Sequence, residues 1–185
     1  QMCIRDRYIV YENHTRNKEL LKYAQTDALT GLYNKETTEQ LTDELLSEDE
    51  NKYHAFLILD VDCFKQINDI YGHAVGDIVL QKFGKLLKGT FREGDILGRI
   101  GGDEFGVIMK NIQTKDIAMK KAEELLAKTQ AYKIDELKGN NISISIGIST
   151  APQDGDCYMD LYKRADQALY QAKRSGKARV CNYFS

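Results

Sequence analysis

Apolar positions along the chain recur with two distinct periods. Residues 55–61 (AFLILDV) are apolar almost without interruption, which predicts a buried central strand. Residues 142–150 (ISISIGIST) alternate with period two and predict a half-buried strand. Around and between these lie helical spacings. Asn34 can cap a helix that carries Leu41, Leu45 and Leu46 on one side. Phe64, Ile67 and Tyr71 form a short helical stripe, Gly72 interrupts, and Val75, Ile78, Val79, Phe83, Leu86 and Leu87 form a longer one. Residues 95–100 and 104–109 are short apolar segments around Gly101-Gly102, a hairpin signal in which the glycines are expected to supply positive φ. Ala118, Ala122, Leu125 and Leu126 mark a further helix. The last helix carries Leu161, Tyr162, Ala165, Ala168, Leu169 and Ala172 and is expected to stop near Gly176. A short strand over residues 178–182 closes the pattern.

Helices and strands therefore alternate around an embedded hairpin. The expected class is α/β (α+β): a ferredoxin-like, palm-type mixed sheet with helices packed on it. Residues 1–25 are expected to form a leader ending in a helix, since Leu20, Leu21 and Ala24 lie at helical spacing. Residues 1–7 (QMCIRDR) have no periodicity and are set aside as a candidate cloning remnant. Residues 26–185 are expected to be one domain, with no internal repeat.

Composition narrows the function classes. The chain has 185 residues, 42% of them hydrophobic and 29% charged, which suits one globular domain. No apolar run approaches the roughly 18 residues of a membrane span, and no signal peptide pattern opens the chain, so a cytoplasmic segment is expected. A net charge of −2 argues against a non-specific nucleic-acid binder. Cys3, Cys63, Cys157 and Cys181 are scattered, which excludes a C-x-x-C zinc site and points to reduced thiols.

The candidate chemistry is acidic. The central strand ends in Asp60-Val61-Asp62, and alternation places Asp60 and Asp62 on one face. A carboxylate at the end of a buried strand is costly unless paired or metal-bound. The hairpin turn supplies Asp103 and Glu104. If the hairpin lies beside the central strand, these converge with Asp60. Oxygen-only ligands suit Mg²⁺ or Mn²⁺ rather than zinc, and two such ions could serve a nucleotide triphosphate.

Five motifs in order resemble the GGDEF family of diguanylate cyclases, from about Thr26 to the C-terminus. They are Asp27-Ala28-Leu29-Thr30-Gly31-Leu32-Tyr33-Asn34; Asp60-Val61-Asp62-Cys63-Phe64-Lys65 with Asn68-Asp69; Gly72-His73-Ala74-Val75-Gly76-Asp77; Gly101-Gly102-Asp103-Glu104-Phe105 after Arg99; and residues 165–173 (ADQALYQAK) with Gly176-Lys177. The resemblance implies condensation of two GTP into cyclic di-GMP and two pyrophosphates by a homodimer, usually under an upstream sensory module. It implies that Asp60, the Val61 carbonyl and Asp103 hold the metals. Asp103 would also accept a proton from the attacking hydroxyl, with Glu104 as a second carboxylate at the turn. Gly101 and Gly102 would let the backbone approach phosphates. Lys65 would stabilise the transition state, and Lys173 and Lys177 would hold the triphosphate. Many relatives carry arginine at the position of Lys177, and lysine offers no bidentate fork there. Asn68 and Asp77 match the guanine-reading positions, and His73 would line the nucleotide pocket. Arg92 and Asp95 form an R-x-x-D pattern at the spacing of the family's inhibitory product site. Lys35 and Cys63 depart from the usual arginine and aromatic. The alternatives are a catalytically silent module that binds GTP or cyclic di-GMP, and a cyclase for a different nucleotide.

Overall fold

The apolar run becomes β1 (His54–Val61), the centre of a five-stranded sheet in a computed structural model that describes residues 24–48 and 52–183. Every residue of β1 is buried, because both faces of the sheet are covered. The elements follow as α1 (Lys35–Glu48), β1, α2 (Phe64–Tyr71), α3 (His73–Thr90), β2 (Ile96–Arg99), β3 (Glu104–Met109), α4 (Lys115–Ala131), a 3₁₀ turn (Asp135–Leu137), β4 (Ile144–Ala151), α5 (Tyr158–Arg174) and β5 (Val180–Asn182). The strand order is β2-β3-β1-β4-β5. β1 pairs antiparallel with β3 and β4, β2 with β3, and β5 runs parallel to β4. The first four strands have the ferredoxin-like order and β5 extends it, as the sequence predicts.

Alternation along β1 sorts the core into two layers. Leu57 and Leu59 face Val79, Phe83, Leu87, Ala122 and Leu125 of α3 and α4. Phe56 and Ile58 face Leu45, Tyr158, Leu161, Ala165 and Leu169 of α1 and α5. Edge-to-face ring pairs occur in each layer, Phe83 with Phe105 at 4.9 Å and Phe56 with Tyr158 at 5.5 Å. The Asn34 cap forms as expected, with Thr37 N donating to Asn34 Oδ1 at 2.9 Å.

Two expectations need correction. The alternating segment 142–150 becomes β4, and it is buried on both faces rather than half-buried. Its small residues face a helix, not water. Ser149 Oγ donates to Leu161 O at 2.8 Å, and a Cβ on Gly147 would stand 2.1 Å from Ala165 O. Small side chains let the α5 backbone sit directly on the strand. Second, neither Gly101 nor Gly102 adopts a left-handed φ, so the hairpin turn does not use them as predicted. What they provide is space: a Cβ on Gly101 would press on Glu104 Oε2 at 2.8 Å, and one on Gly102 would meet nothing within 4 Å.

The expected leader helix lies mostly outside the described residues: of residues 1–25 only Ala24 and Gln25 are described, and both are helical. Residues 1–7 also lie outside them. Among the described residues no helix is long and apolar enough to cross a membrane, and Cys63, Cys157 and Cys181 are free thiols.

Candidate active site

The end of β1 carries the site because three elements meet there. Strand register sets Asp60 opposite Glu104, and Val61 N donates to Asp103 O at 3.2 Å. The hairpin thus lies beside the central strand, and Asp60, Asp103 and Glu104 converge. α5 adds a cation: Lys173 Nζ donates to Asp60 Oδ2 at 2.7 Å. Burial pushes the Asp60 carboxyl above the ordinary range. The Lys173 ammonium opposes that shift, and Asp103 and Asp62 reinforce it. Burial also raises Glu104, with Asp60 across the ladder as the next cause. The Lys173 ammonium pairs with Asp60 and also acts on Glu104, and the carboxylates form an all-oxygen donor set suited to a hard divalent cation.

Asp62 has a different task from its neighbour. It accepts from Ser143 Oγ at 2.9 Å, Ser145 Oγ at 2.7 Å and Ala178 N at 3.1 Å. It ties β1 to β4 and to the left-handed Lys177-Ala178 pair. Its acceptor capacity is largely used by the fold.

The remaining predicted residues surround this centre unevenly. Lys65 stands exposed in the first turn of α2, with no ionic partner among the described residues. Asn68 lies on α2 against α3, where Gly76 leaves room for it: a Cβ on Gly76 would be 1.9 Å from Asn68 Oδ1. That oxygen is buried and has no hydrogen-bond partner among the described residues. His73 and Asp77 are exposed at the start of α3, one turn apart, and Asn68 packs against Gly76, the residue before Asp77. Lys177 is exposed, with its ammonium 3.1 Å from Cys63 Sγ. That sulfur, with Asp62 and Asp60 beyond it, holds the ammonium above the usual lysine range.

Arg92 and Asp95 lie at the opposite end of the hairpin, where β2 begins and β3 ends. Arg92 Nε donates to Asp95 Oδ1 at 3.1 Å, and Arg92 Nη2 donates to Lys110 O. Asp95 also accepts from Lys110 N at 3.1 Å. The carboxylate is therefore part of the fold, while the guanidinium remains mostly exposed. Both line a cleft of about 600 Å³ with Thr90, Ile117 and Lys121.

Sequence reasoning missed three contacts. Lys173 reaches Asp60 rather than standing free for a ligand. Cys63 touches Lys177. Arg99 links Asp27 to Gly102 across 72 residues of sequence. All these residues sit in recognised motifs, but nothing in their spacing announces the pairings.

Comparison with known proteins agrees with this geometry. The family described as "Diguanylate cyclase, GGDEF domain" matches residues 24–179. Diguanylate cyclase A of Treponema denticola is 37% identical over 170 residues, covering 89% of this chain and 46% of that protein. Response regulator PleD of Caulobacter vibrioides is 37% identical over 177 residues, covering 92% of this chain and 39% of that protein. This chain thus spans less than half the length of either relative. Among solved structures, the isolated GGDEF domain of PA1120 (TpbB or YfiN) from Pseudomonas aeruginosa superposes with a TM-score of 0.81 at 33% identity, covering 86% of this chain and 94% of that one. The coiled coil and GGDEF domain of DgcB from Caulobacter crescentus, in complex with c-di-GMP, gives 0.87 at 24% identity, over 96% of this chain and 95% of that one; at that identity the likeness is one of fold. The match runs from Ala24 through the hairpin that carries Asp103 and Glu104 to Arg179, just before the last strand, and this chain belongs to the GGDEF diguanylate cyclase family.

Proposed function

We propose that this chain is a working diguanylate cyclase, which condenses two GTP into cyclic di-GMP with release of two pyrophosphates. The observation that carries this reading is the convergence of Asp60, Asp103 and Glu104 at the end of β1, with the Lys173 ammonium bonded to Asp60. Asp60, the Val61 carbonyl and Asp103 would hold Mg²⁺ or Mn²⁺, two ions per site. A bound divalent cation supplies neutralisation of the triphosphate and acidifies the attacking hydroxyl. The donor set fits such an ion: it is all oxygen, and burial raises Asp60 and Glu104, so added positive charge is favourable there.

The protein groups then divide the work. Asp103 takes the proton from the attacking 3′-hydroxyl, with Glu104 beside it at the turn. Gly102 leaves its face of the turn open, so phosphate oxygens can approach the backbone. Lys65, Lys173 and Lys177 counter the charge of the triphosphate, and Lys173 reaches it by leaving Asp60. Asn68 and the Asp77 carboxylate read guanine, whose N1–H and N2 amino group form a donor pair that adenine lacks on that edge. His73 lines the same pocket. Little covalent help is required, because phosphoryl transfer depends mainly on positioning and charge neutralisation.

One site holds one GTP, so joining two substrates requires two chains face to face. Turnover is thus expected to rise faster than linearly with protein concentration when dilute. Arg92 and Asp95, at the far end of the hairpin, form the inhibitory product site. In the full-length protein an upstream sensory module would govern dimerisation, in the cytoplasm. The deciding experiment is incubation of a forced dimer with GTP and Mg²⁺, followed by chromatography for cyclic di-GMP. Product is expected from the unaltered chain and none from Asp103→Ala. GTP binding without product would refute the enzyme reading and leave a regulatory module.

A further inference from the structure

The catalytic turn has few restraints of its own. Ile100 N and Gly101 N both donate to Glu104 O, at 3.0 and 3.2 Å, and Gly102 projects into open space. Two adjacent glycines carry high backbone entropy, so such a turn needs an outside anchor to hold one geometry. Arg99 supplies it. Its Nε and Nη2 donate to the Gly102 carbonyl at 3.2 and 2.8 Å, gripping the peptide unit that leads into Asp103. The other edge of the guanidinium faces Asp27, with Nη1 at 3.2 Å from both carboxylate oxygens.

Asp27 is itself held. Thr30 N and Thr30 Oγ1 donate to its Oδ1 at 2.9 and 2.7 Å. Burial works against ionisation of Asp27, but the Thr30 bonds and Arg99 together outweigh it and hold the carboxyl below the ordinary range. The surrounding segment is laced to the hairpin: Tyr33 N donates to Leu97 O at 3.0 Å and Arg99 N to Tyr33 O at 2.8 Å. A planar fork is required here, because one side chain must satisfy a carboxylate and a carbonyl on opposite edges. Lysine can do only one of these.

We propose that Arg99, oriented by Asp27, is a positioning residue: it holds the Gly102 carbonyl so that Asp103 meets Asp60 and Val61 in a single arrangement. The inference rests on the cyclase reading for its kinetic consequence, but not for its structural one. A pair that merely stabilised the fold would lower melting temperature and leave the catalytic constant of the folded fraction intact.

The test compares the unaltered chain with Arg99→Lys and Asp27→Asn by amide hydrogen exchange and by steady-state GTP turnover in Mg²⁺. Exchange at Ile100 and Gly101 is expected to quicken about tenfold while β1 and β4 keep their protection. The catalytic constant is expected to fall at least about tenfold, with the KM for GTP held within about threefold. Arg99→Lys is expected to show the larger effect, since the amide oxygen introduced by Asp27→Asn could still accept one bond from Arg99. Unchanged exchange in both variants would overturn the proposal. So would faster exchange with an unchanged catalytic constant, or a loss expressed only in KM. If the unaltered chain makes no cyclic di-GMP, the cyclase reading fails by itself, and exchange at Ile100 and Gly101 then decides alone whether Asp27 and Arg99 hold the turn.

Discussion

Gly147→Ala should unseat the helix that carries Lys173. The added methyl would stand 2.1 Å from Ala165 O, 2.3 Å from Leu169 N and 2.9 Å from Leu169 Cα, all of them α5 backbone. Ordinary contact lies near 3.5 Å, so α5 must retreat by about 1.5 Å or the strand must buckle. No side chain can rotate away, because the obstacles are main-chain atoms. Overpacking of this kind costs about 3 kcal/mol, the upper end of the usual range. For a domain of this size that lowers the melting temperature by about 6–12 °C. The site is affected as well. Lys173 lies on the same helix, 2.7 Å from Asp60, and a displacement of an ångström or more at a reacting centre costs about a hundredfold in rate. Differential scanning calorimetry and turnover with GTP read the two effects. Gly89→Ala is the matched control: a Cβ there meets nothing within 4 Å, the residue lies in α3, and the substitution should stabilise by about 0.5–1 kcal/mol. If Gly147→Ala melts within about 2 °C of the unaltered chain (about 1 kcal/mol or less) and turns over normally, the close backbone seat of α5 on β4 is refuted.

Glu104→Gln removes one of two like charges opposed across the β1–β3 ladder. A raised carboxyl favours the folded state in acid, and that contribution disappears as pH climbs through the raised value. The variant should therefore be more stable by about 0.2–1 kcal/mol at pH 7 and equal to the unaltered chain below the ordinary glutamate value of 4.5; a difference that ignores pH in urea titrations would count against it. Lys173→Met deletes the ammonium on Asp60, so Mn²⁺ followed by electron paramagnetic resonance without nucleotide should bind about tenfold more tightly, even as turnover drops. Equal or weaker Mn²⁺ binding would show that the lysine does not compete for that carboxylate. Arg92→Ala should relieve inhibition by added cyclic di-GMP at least about tenfold without lowering the initial rate; unchanged inhibition would reduce Arg92 to a turn residue.

The site was legible in parts. Asp60, Asp103 and Glu104 were readable as ligand candidates through their combination: an acid at the end of a buried apolar run is costly unless paired or metal-bound, and two further acids follow paired glycines within about 45 residues. Their meeting depended on one condition, that the hairpin lie beside the central strand, which the register of Asp60 with Glu104 meets. Asp62 shows the limit. Alternation placed it correctly beside Asp60, yet Ser143, Ser145 and Ala178 claim its oxygens. Those partners arrive from elements more than 80 residues away, and local pattern carries no trace of them.

Local chemistry in the sequence determined the element types and their order, the two apolar stripes of each layer, the Asn34 cap and the residue types available at the strand end. Each of these depends on neighbours within a turn or two of the chain. The tertiary structure alone decided that neither face of β4 is wet. Period-two alternation of Ile with Ser and Gly reads as half exposure, and the same small residues are what a helix backbone requires when it packs at contact distance. It also decided that the hairpin glycines provide room rather than left-handed φ, that Lys173 neutralises Asp60, and that Asp27 orients Arg99 from 72 residues away. Hydrophobic periodicity is a one-dimensional record of burial. Pairing between distant polar groups is set by where the packed layers bring them, which that record does not contain.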